Sequence, residues 1–135
     1  MQKVNELFIY TDKKDWGRVQ KVFDDKVNFD MTSLVGGKPL SLSPKEITDG
    51  WDKGLSKIPV VHHQLGNYLI TLDKNTATVF CYGTAVHYLQ NPSGNNTRTF
   101  VGSYDIHLVK KGEWVIDSFK YNSKFVEGNL TLGSE

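Results

Sequence analysis

The chain has little cysteine, little net charge and no long hydrophobic run. Its one cysteine, Cys81, excludes an internal disulfide and a cysteine-based zinc site, and its place in an apolar strand pattern predicts a buried, inert thiol. Sixteen basic residues against fifteen acidic residues leave almost no net charge, and no basic patch stands out. We therefore expect neither nucleic acid nor a membrane as a partner.

The N-terminal segment has Lys3 and Glu6 within its apolar spacing, unlike a signal peptide or a membrane span, so we expect a cytoplasmic location. No His-x-His or Glu-x-x-His ligand spacing accompanies the four histidines, and no nucleotide-binding motif is present. We expect neither a metal nor a cofactor. The 135 residues, without internal repeat or linker, predict a single domain over 1–135.

Helical periodicity predicts three helices in the first half of the chain. Apolar residues at helical spacing begin near residue 4, are interrupted at residues 11–14, and resume after Asp15, which can cap a helix that opens at Trp16. A third helix begins with a proline in its first turn and with Ser43 and Glu46 placed as a capping box, the strongest helix signal in the sequence.

Period-two alternation predicts strands at 27–31 and near 60–72, 76–90, 98–109 and 113–126. Helices followed by long antiparallel strands indicate an α+β domain whose curved sheet wraps against the helices. On the strand near 76–90, one face has small residues and His87, which leaves room for a hollow, whereas the other face is bulky and aromatic. We expect a second copy of the chain to cover the bulky outer face, giving a homodimer.

Six short segments in order resemble SnoaL-like proteins of the nuclear transport factor 2-like superfamily. They are Asp15-Trp16, Phe29-Asp30-Met31, His63-Gln64-Leu65-Gly66-Asn67, Ala85-Val86-His87, Gly102-Ser103-Tyr104-Asp105 and Gly112-Glu113-Trp114-Val115-Ile116. The resemblance spans nearly the whole chain and implies a cone-shaped, cystatin-like α+β barrel, commonly dimeric, with an interior that holds a small hydrophobic molecule. The superfamily includes polyketide cyclases, scytalone dehydratase and non-catalytic binders, so the fold is better determined than the function.

Similarity to the scytalone dehydratase branch implies that Asp30, His63 and His87 line the interior and are the catalytic residues. An imidazole at His63 can take a proton from a substrate and return it elsewhere, while the Asp30 carboxylate fixes the imidazole tautomer. His87 would hold a leaving hydroxyl or a carbonyl oxygen. The alternative is that Asp30 caps a strand end and that both histidines are hydrogen-bonded core residues.

Tyr104, Trp51 and Phe29 are the candidate ligand-binding residues. Phe29 replaces the tyrosine that precedes the aspartate in scytalone dehydratase, which disfavours that particular dehydration. The only two arginines, Arg18 and Arg98, do not match the aspartate–arginine–aspartate set of limonene epoxide hydrolase.

Three functions stay open at this point. The first is a cofactor-free lyase, isomerase or cyclase acting on a small hydrophobic cyclic compound. The second is a binding protein with the same cavity and no turnover. The third is an assembly module whose cavity is filled by its own side chains, which the small residues on the inner face mildly disfavour.

Overall fold

The structure, a computed structural model, describes residues 1–134 and contains short helices and one six-stranded sheet. In chain order the elements are α1 (Gln2–Asp12), α2 (Trp16–Lys21), β1 (Phe23–Asp30), α3 (Thr32–Val35), β2 (Leu40–Leu42), α4 (Pro44–Leu55), β3 (Val60–Asp73), β4 (Thr76–Tyr88), β5 (Thr97–Lys111) and β6 (Glu113–Gly128).

The strands are arranged in the order β2-β1-β6-β5-β4-β3. The β1–β6 pair is parallel, and the other four pairs are antiparallel. This confirms the predicted α+β class and the curved, mostly antiparallel sheet. The sheet is open rather than closed into a barrel, because β2 and β3 form its two edges.

The predicted helix signals are confirmed. The Asp15 side chain accepts a hydrogen bond from the Arg18 amide at the start of α2. At the start of α4, the Ser43 hydroxyl accepts from the Glu46 amide at 3.2 Å and the Glu46 carboxylate accepts from the Ser43 amide at 3.0 Å. The capping box satisfies two amides that the first turn of a helix would otherwise leave unpaired.

Burial alternates along β4 as the sequence predicts. Val79 and Cys81 face the core, whereas Tyr82 and Tyr88 are exposed on the outer face. Burial raises the pKa of the Cys81 thiol to about 11, so the thiol is protonated and unreactive at neutral pH. The inner face therefore supplies one wall of the core. No helix within residues 1–134 is long and apolar enough to cross a membrane.

Candidate functional site

A cavity of about 300 Å³ lies between the inner face of the sheet, α1 and α4. Its wall is mostly apolar and aromatic, with Phe8 from α1, Trp51 from α4 and Phe119 from β6. The polar side chains on the wall are Thr11, His63, His87, Arg98, Tyr104 and Tyr121. A concave, mostly apolar space with a few polar groups is typical of a site for a small molecule.

His63, on β3, is held by both carboxylate oxygens of Asp12 at the end of α1. Its ring Nδ1 lies 2.6 Å from Asp12 Oδ1, and its backbone amide donates to Asp12 Oδ2 at 2.9 Å. The ring also packs on Phe8, with 5.1 Å between ring centroids. Three contacts therefore fix both the position and the rotation of the imidazole.

The Asp12 contact determines which ring nitrogen of His63 is available. A carboxylate only accepts hydrogen bonds, so the neutral imidazole must have its proton on Nδ1. The lone pair is then on Nε2, the ring nitrogen that Asp12 does not engage. A histidine in this tautomer, on a cavity wall, is arranged as a base.

The expectation that Asp30 orients His63 is wrong. Asp30, at the end of β1, accepts hydrogen bonds from the Thr32 amide at 3.0 Å and the Thr32 hydroxyl at 2.6 Å. These bonds lower the pKa of Asp30, and the residue is not on the cavity wall. Asp30 therefore organises the turn into α3, which is the strand-end role that the alternative interpretation gave it.

Asp12 was missed because residues 11–14 read as a break between two helices. The structure continues α1 through Asp12, four residues beyond Phe8, so both lie on one face of the helix. Phe8 is itself four residues beyond Val4, which is fully buried. Continuing that spacing for one more turn would have placed the carboxylate against the core.

His87, on β4, is buried beside Arg98 of β5, its cross-strand neighbour. Arg98 Nη2 lies 3.1 Å from His87 Nδ1. Burial, with Arg98 and His63 adding to it, lowers the pKa of His87 from 6.5 to about 4. The His87 imidazole is therefore neutral at physiological pH.

His87 has the opposite tautomer from His63. A guanidinium only donates hydrogen bonds, so His87 Nδ1 must accept from Arg98 and the ring proton is on Nε2. The cavity thus contains one imidazole with a free lone pair and a second whose Nε2–H can donate. The pair is suited to taking a proton at one point of a bound molecule and holding an oxygen at another.

Tyr104, on β5, adds a second neutral donor to the wall. Burial raises its pKa far above the ordinary value, so the phenol stays protonated. Its ring lies against Gly83, where an added Cβ would be only 2.3 Å from Tyr104 Cε2. The glycine therefore makes room for the Tyr104 ring on the cavity wall.

The other two candidate ligand-binding residues have different positions. Trp51 is on the cavity wall, whereas Phe29 lies behind it. The Phe29 ring stacks on Phe119 at 5.6 Å and tilts against Trp51 at 5.9 Å. Phe29 therefore supports two wall residues and does not itself contribute to the wall.

The remaining histidines lie outside the cavity. His62 is exposed on the opposite side of β3 from His63. His107 pairs with Asp117 at 2.6 Å, the same distance as in the Asp12–His63 pair, but its side chain is 38% exposed and is not on the cavity wall. The His107–Asp117 pair is therefore a control for the Asp12–His63 pair, because the same two residue types lie at the same distance but away from the cavity.

The fold and the cavity together define an α+β domain with a cavity of small-molecule size. The chain belongs to the family of SnoaL-like domains, whose model matches residues 1–120. The predicted family is therefore confirmed. No curated protein sequence matches the chain.

Solved structures share this fold at low sequence identity. The Kfla4162 protein from Kribbella flavida has a TM-score of 0.87 at 21% identity, over 93% of this chain and 88% of that chain. A proposed scytalone dehydratase from Novosphingobium aromaticivorans has a TM-score of 0.75 at 13% identity, over 93% and 82%. A hexachlorocyclohexane dehydrochlorinase, LinA-type3, from Novosphingobium barchaimii has a TM-score of 0.76 at 13% identity, over 96% and 87%. At these identities the similarity shows the fold alone.

Proposed function

We propose that this protein is a cofactor-independent acid/base enzyme, a lyase, isomerase or cyclase, acting on a small hydrophobic cyclic compound. The observation that supports it most is the Asp12–His63 pair, which leaves His63 Nε2 as the basic nitrogen on an apolar cavity wall. The aromatic lining and the volume of about 300 Å³ suit a compound of one or two rings.

His63 is the proton carrier in this proposal. Its Nε2 removes a proton from a C–H or O–H of the substrate, and the Asp12 carboxylate stabilises the imidazolium that forms. In an elimination, the C–H electron pair becomes the new C=C bond, and the leaving group departs with its own electron pair. The same proton then returns, to a leaving hydroxyl as water or to another carbon in an isomerisation.

His87 and Tyr104 hold the oxygen on which negative charge develops. Both are neutral donors, because the pKa of His87 lies well below neutral pH and that of Tyr104 far above it. Donors fixed before the reaction stabilise the transition state without having to reorient, and the apolar wall strengthens each hydrogen bond. In this proposal His63 and His87 have the roles expected from the sequence, and Asp12 takes the role expected for Asp30.

The names of two structural neighbours, a proposed scytalone dehydratase and a dehydrochlorinase, both describe eliminations. They support the lyase form of the proposal by analogy. The substrate of this protein is a separate question, because identities of 13% carry no substrate information.

The test begins by identifying a ligand with native mass spectrometry of the purified protein, and then measures turnover of that compound and its close relatives. His63→Gln should lower kcat by about 10²–10⁴-fold, the usual value of positioned proton transfer. The matched control is His107→Gln, which removes the exposed histidine of the second pair and should leave kcat unchanged.

Two results would contradict the proposal. Equal losses in the His63 and His107 variants would show that no particular proton transfer had been removed. A compound that binds the wild-type cavity and is recovered unchanged, together with all its close relatives, would make the protein a binding protein.

A further inference from the structure

Arg98 is the one cation on the cavity wall, and none of the ion pairs within residues 1–134 includes it. Its guanidinium donates to the neutral His87 ring and lies over Phe100, with 5.3 Å from Cζ to the ring centroid. Neither contact supplies negative charge. Among the described residues, therefore, no carboxylate is paired with the positive charge that Arg98 places at this apolar wall.

Within residues 1–134, the Arg98 side chain also lacks a hydrogen-bond acceptor for its Nε. This nitrogen is buried and has no hydrogen-bond partner in the described part of the chain. Burying a guanidinium N–H without an acceptor is costly, and the pKa of Arg98 is lowered by burial alone, as expected where no acidic group lies close. An anionic oxygen in the cavity would supply the missing negative charge to the guanidinium.

We propose that Arg98 is a binding residue for a carboxylate on the substrate. The inference rests on the proposed function in using the same cavity, and it adds a class of substrate: a small cyclic acid rather than a neutral ring compound. The planar guanidinium, with several N–H groups in one plane, matches the geometry of a carboxylate.

Sheet register places this subsite away from the proton-transfer position. His87 pairs with Arg98 across β4 and β5, and His63 pairs with Ala85 one inner-face row further along. Strands lie about 4.8 Å apart and two residues rise about 6.7 Å, so the Cα atoms of His63 and Arg98 are about 12 Å apart. The carboxylate would anchor one end of the substrate while His63 acts on the ring.

The test compares two probes of the same shape, 2-naphthoate and its uncharged amide, 2-naphthamide. Binding is followed by the fluorescence of Trp51, which lies on the cavity wall, and by calorimetry. The wild-type protein should bind 2-naphthoate at least about tenfold more tightly than 2-naphthamide. Equal affinities, a preference for the amide, or no binding of 2-naphthoate at millimolar concentration would each overturn the inference.

Variants then assign the preference to Arg98. Arg98→Met keeps an unbranched stem and removes the charge, so it should weaken 2-naphthoate binding much more than 2-naphthamide binding and abolish the preference for the acid. Arg18→Met is the control, because Arg18 has a side chain that is 62% exposed and lies outside the cavity. An acid preference that survives in Arg98→Met would also overturn the inference, and the wild-type comparison decides if that variant does not fold.

The result of the Arg98 binding test can be distinguished from the result of the turnover test of the proposed function. The variant His63→Gln, which should lose turnover, should still prefer 2-naphthoate over 2-naphthamide. If the protein proves to have no catalytic activity, the acid preference still tests the Arg98 subsite. Conversely, turnover of an uncharged substrate with no acid preference would retain the catalytic proposal and remove this one.

Discussion

The two cavity histidines have opposite tautomers because their partners differ in chemistry. Asp12 only accepts hydrogen bonds and so keeps the proton of His63 on Nδ1, whereas Arg98 only donates and keeps the proton of His87 on Nε2. The residue type is the same at both positions. The partner therefore determines that one imidazole is arranged as a base and the other as a hydrogen-bond donor.

Asp12→Asn should lower kcat by about 10²–10⁴-fold, although the substitution barely changes the shape of the side chain. Asp12 now accepts from two donors of His63, the ring and the backbone amide. An asparagine has one acceptor oxygen, so its NH₂ must face one of those donors or force the ring proton onto Nε2. Kinetics of the variant with an identified substrate check this.

The control for that substitution is Asp117→Asn, which makes the same change in the exposed His107–Asp117 pair. It should leave kcat unchanged. Wild-type activity in Asp12→Asn would show that the carboxylate does not determine the tautomer.

His87 should make the protein less stable in acid. The pKa of His87 is about 4 in the folded protein, below the ordinary value of 6.5. Between these two pH values the unfolded chain binds a proton at His87 and the folded chain does not. The free energy of unfolding therefore falls as the pH drops from about 6.5 to 4, by up to about 3 kcal/mol from this group. Below pH 4 both states are protonated and the group contributes no further change.

Urea unfolding at several pH values tests this contribution. His87→Gln should flatten the dependence between pH 6.5 and 4, whereas His62→Gln, which replaces an exposed histidine, should not. An unchanged slope in His87→Gln would show that the ring is protonated in the folded protein.

At the residue scale, the sequence predicted His63 and His87 as a pair but chose the wrong carboxylate. The two histidines are on strands whose period-two pattern fixes which side chains share a face. Asp12 contacts His63 across 51 positions of the chain, a contact that depends on how α1 docks on β3. Periodicity within one segment contains no information about that docking.

Among the secondary-structure elements, the confirmed sequence signals are those whose hydrogen bonds join residues close together in the chain. The capping box of α4 and the Asp15 cap of α2 involve residues three apart, and the structure reproduces both. The four-residue α3 and three-residue β2 were not predicted, because they are too short for periodicity to register. β2 forms against the edge of β1, as in the pairing of Val27 with Leu42, whereas α3 lies against β6, where the Ser33 hydroxyl donates to the Tyr121 carbonyl at 2.7 Å.

Gly83→Ala should disturb the cavity through β4. The new Cβ would be 2.3 Å from Tyr104 Cε2, so the Tyr104 ring must move into the cavity or the strand must shift. We expect a loss of about 1–3 kcal/mol in the free energy of unfolding and weaker binding of 2-naphthamide. Thermal unfolding and probe binding measure the two effects.

Gly66→Ala is the matched control on the neighbouring strand. An added Cβ there has no atom within 4 Å, and the backbone is not in the left-handed region. It should change neither property beyond about 0.5 kcal/mol. Similar effects of the two substitutions would mean that Gly83 has no special role in seating Tyr104.

At the scale of the whole molecule, the outer face of the sheet has exposed apolar side chains in adjacent rows. They include Leu69, 70% exposed, Phe125, 49% exposed, and Tyr82, 44% exposed. Lys124 lies over the Tyr82 ring, 4.1 Å from its centroid. An apolar surface of this kind is unusual on a monomer, and we propose that a second copy of the chain covers it.

The homodimer is tested by analytical ultracentrifugation. The wild-type protein should sediment at twice the chain mass, and Tyr82→Glu should produce monomers, because it buries a charge at the centre of the interface. Val35→Glu, at a position 74% exposed and away from this face, should remain dimeric. A wild-type monomer at micromolar concentration would rule out the proposed dimer.

The proposed function depends on Asp12 making His63 a base and on Arg98 making His87 a hydrogen-bond donor. Two-bond ¹H–¹⁵N correlation spectra of the protein labelled in its histidines, recorded at pH 8.5, report the tautomer of each ring directly. We predict the Nδ1–H tautomer for His63 and the Nε2–H tautomer for His87, with the His63 signals reverting toward the Nε2–H form in Asp12→Asn. The same tautomer on both wild-type rings would contradict the claim.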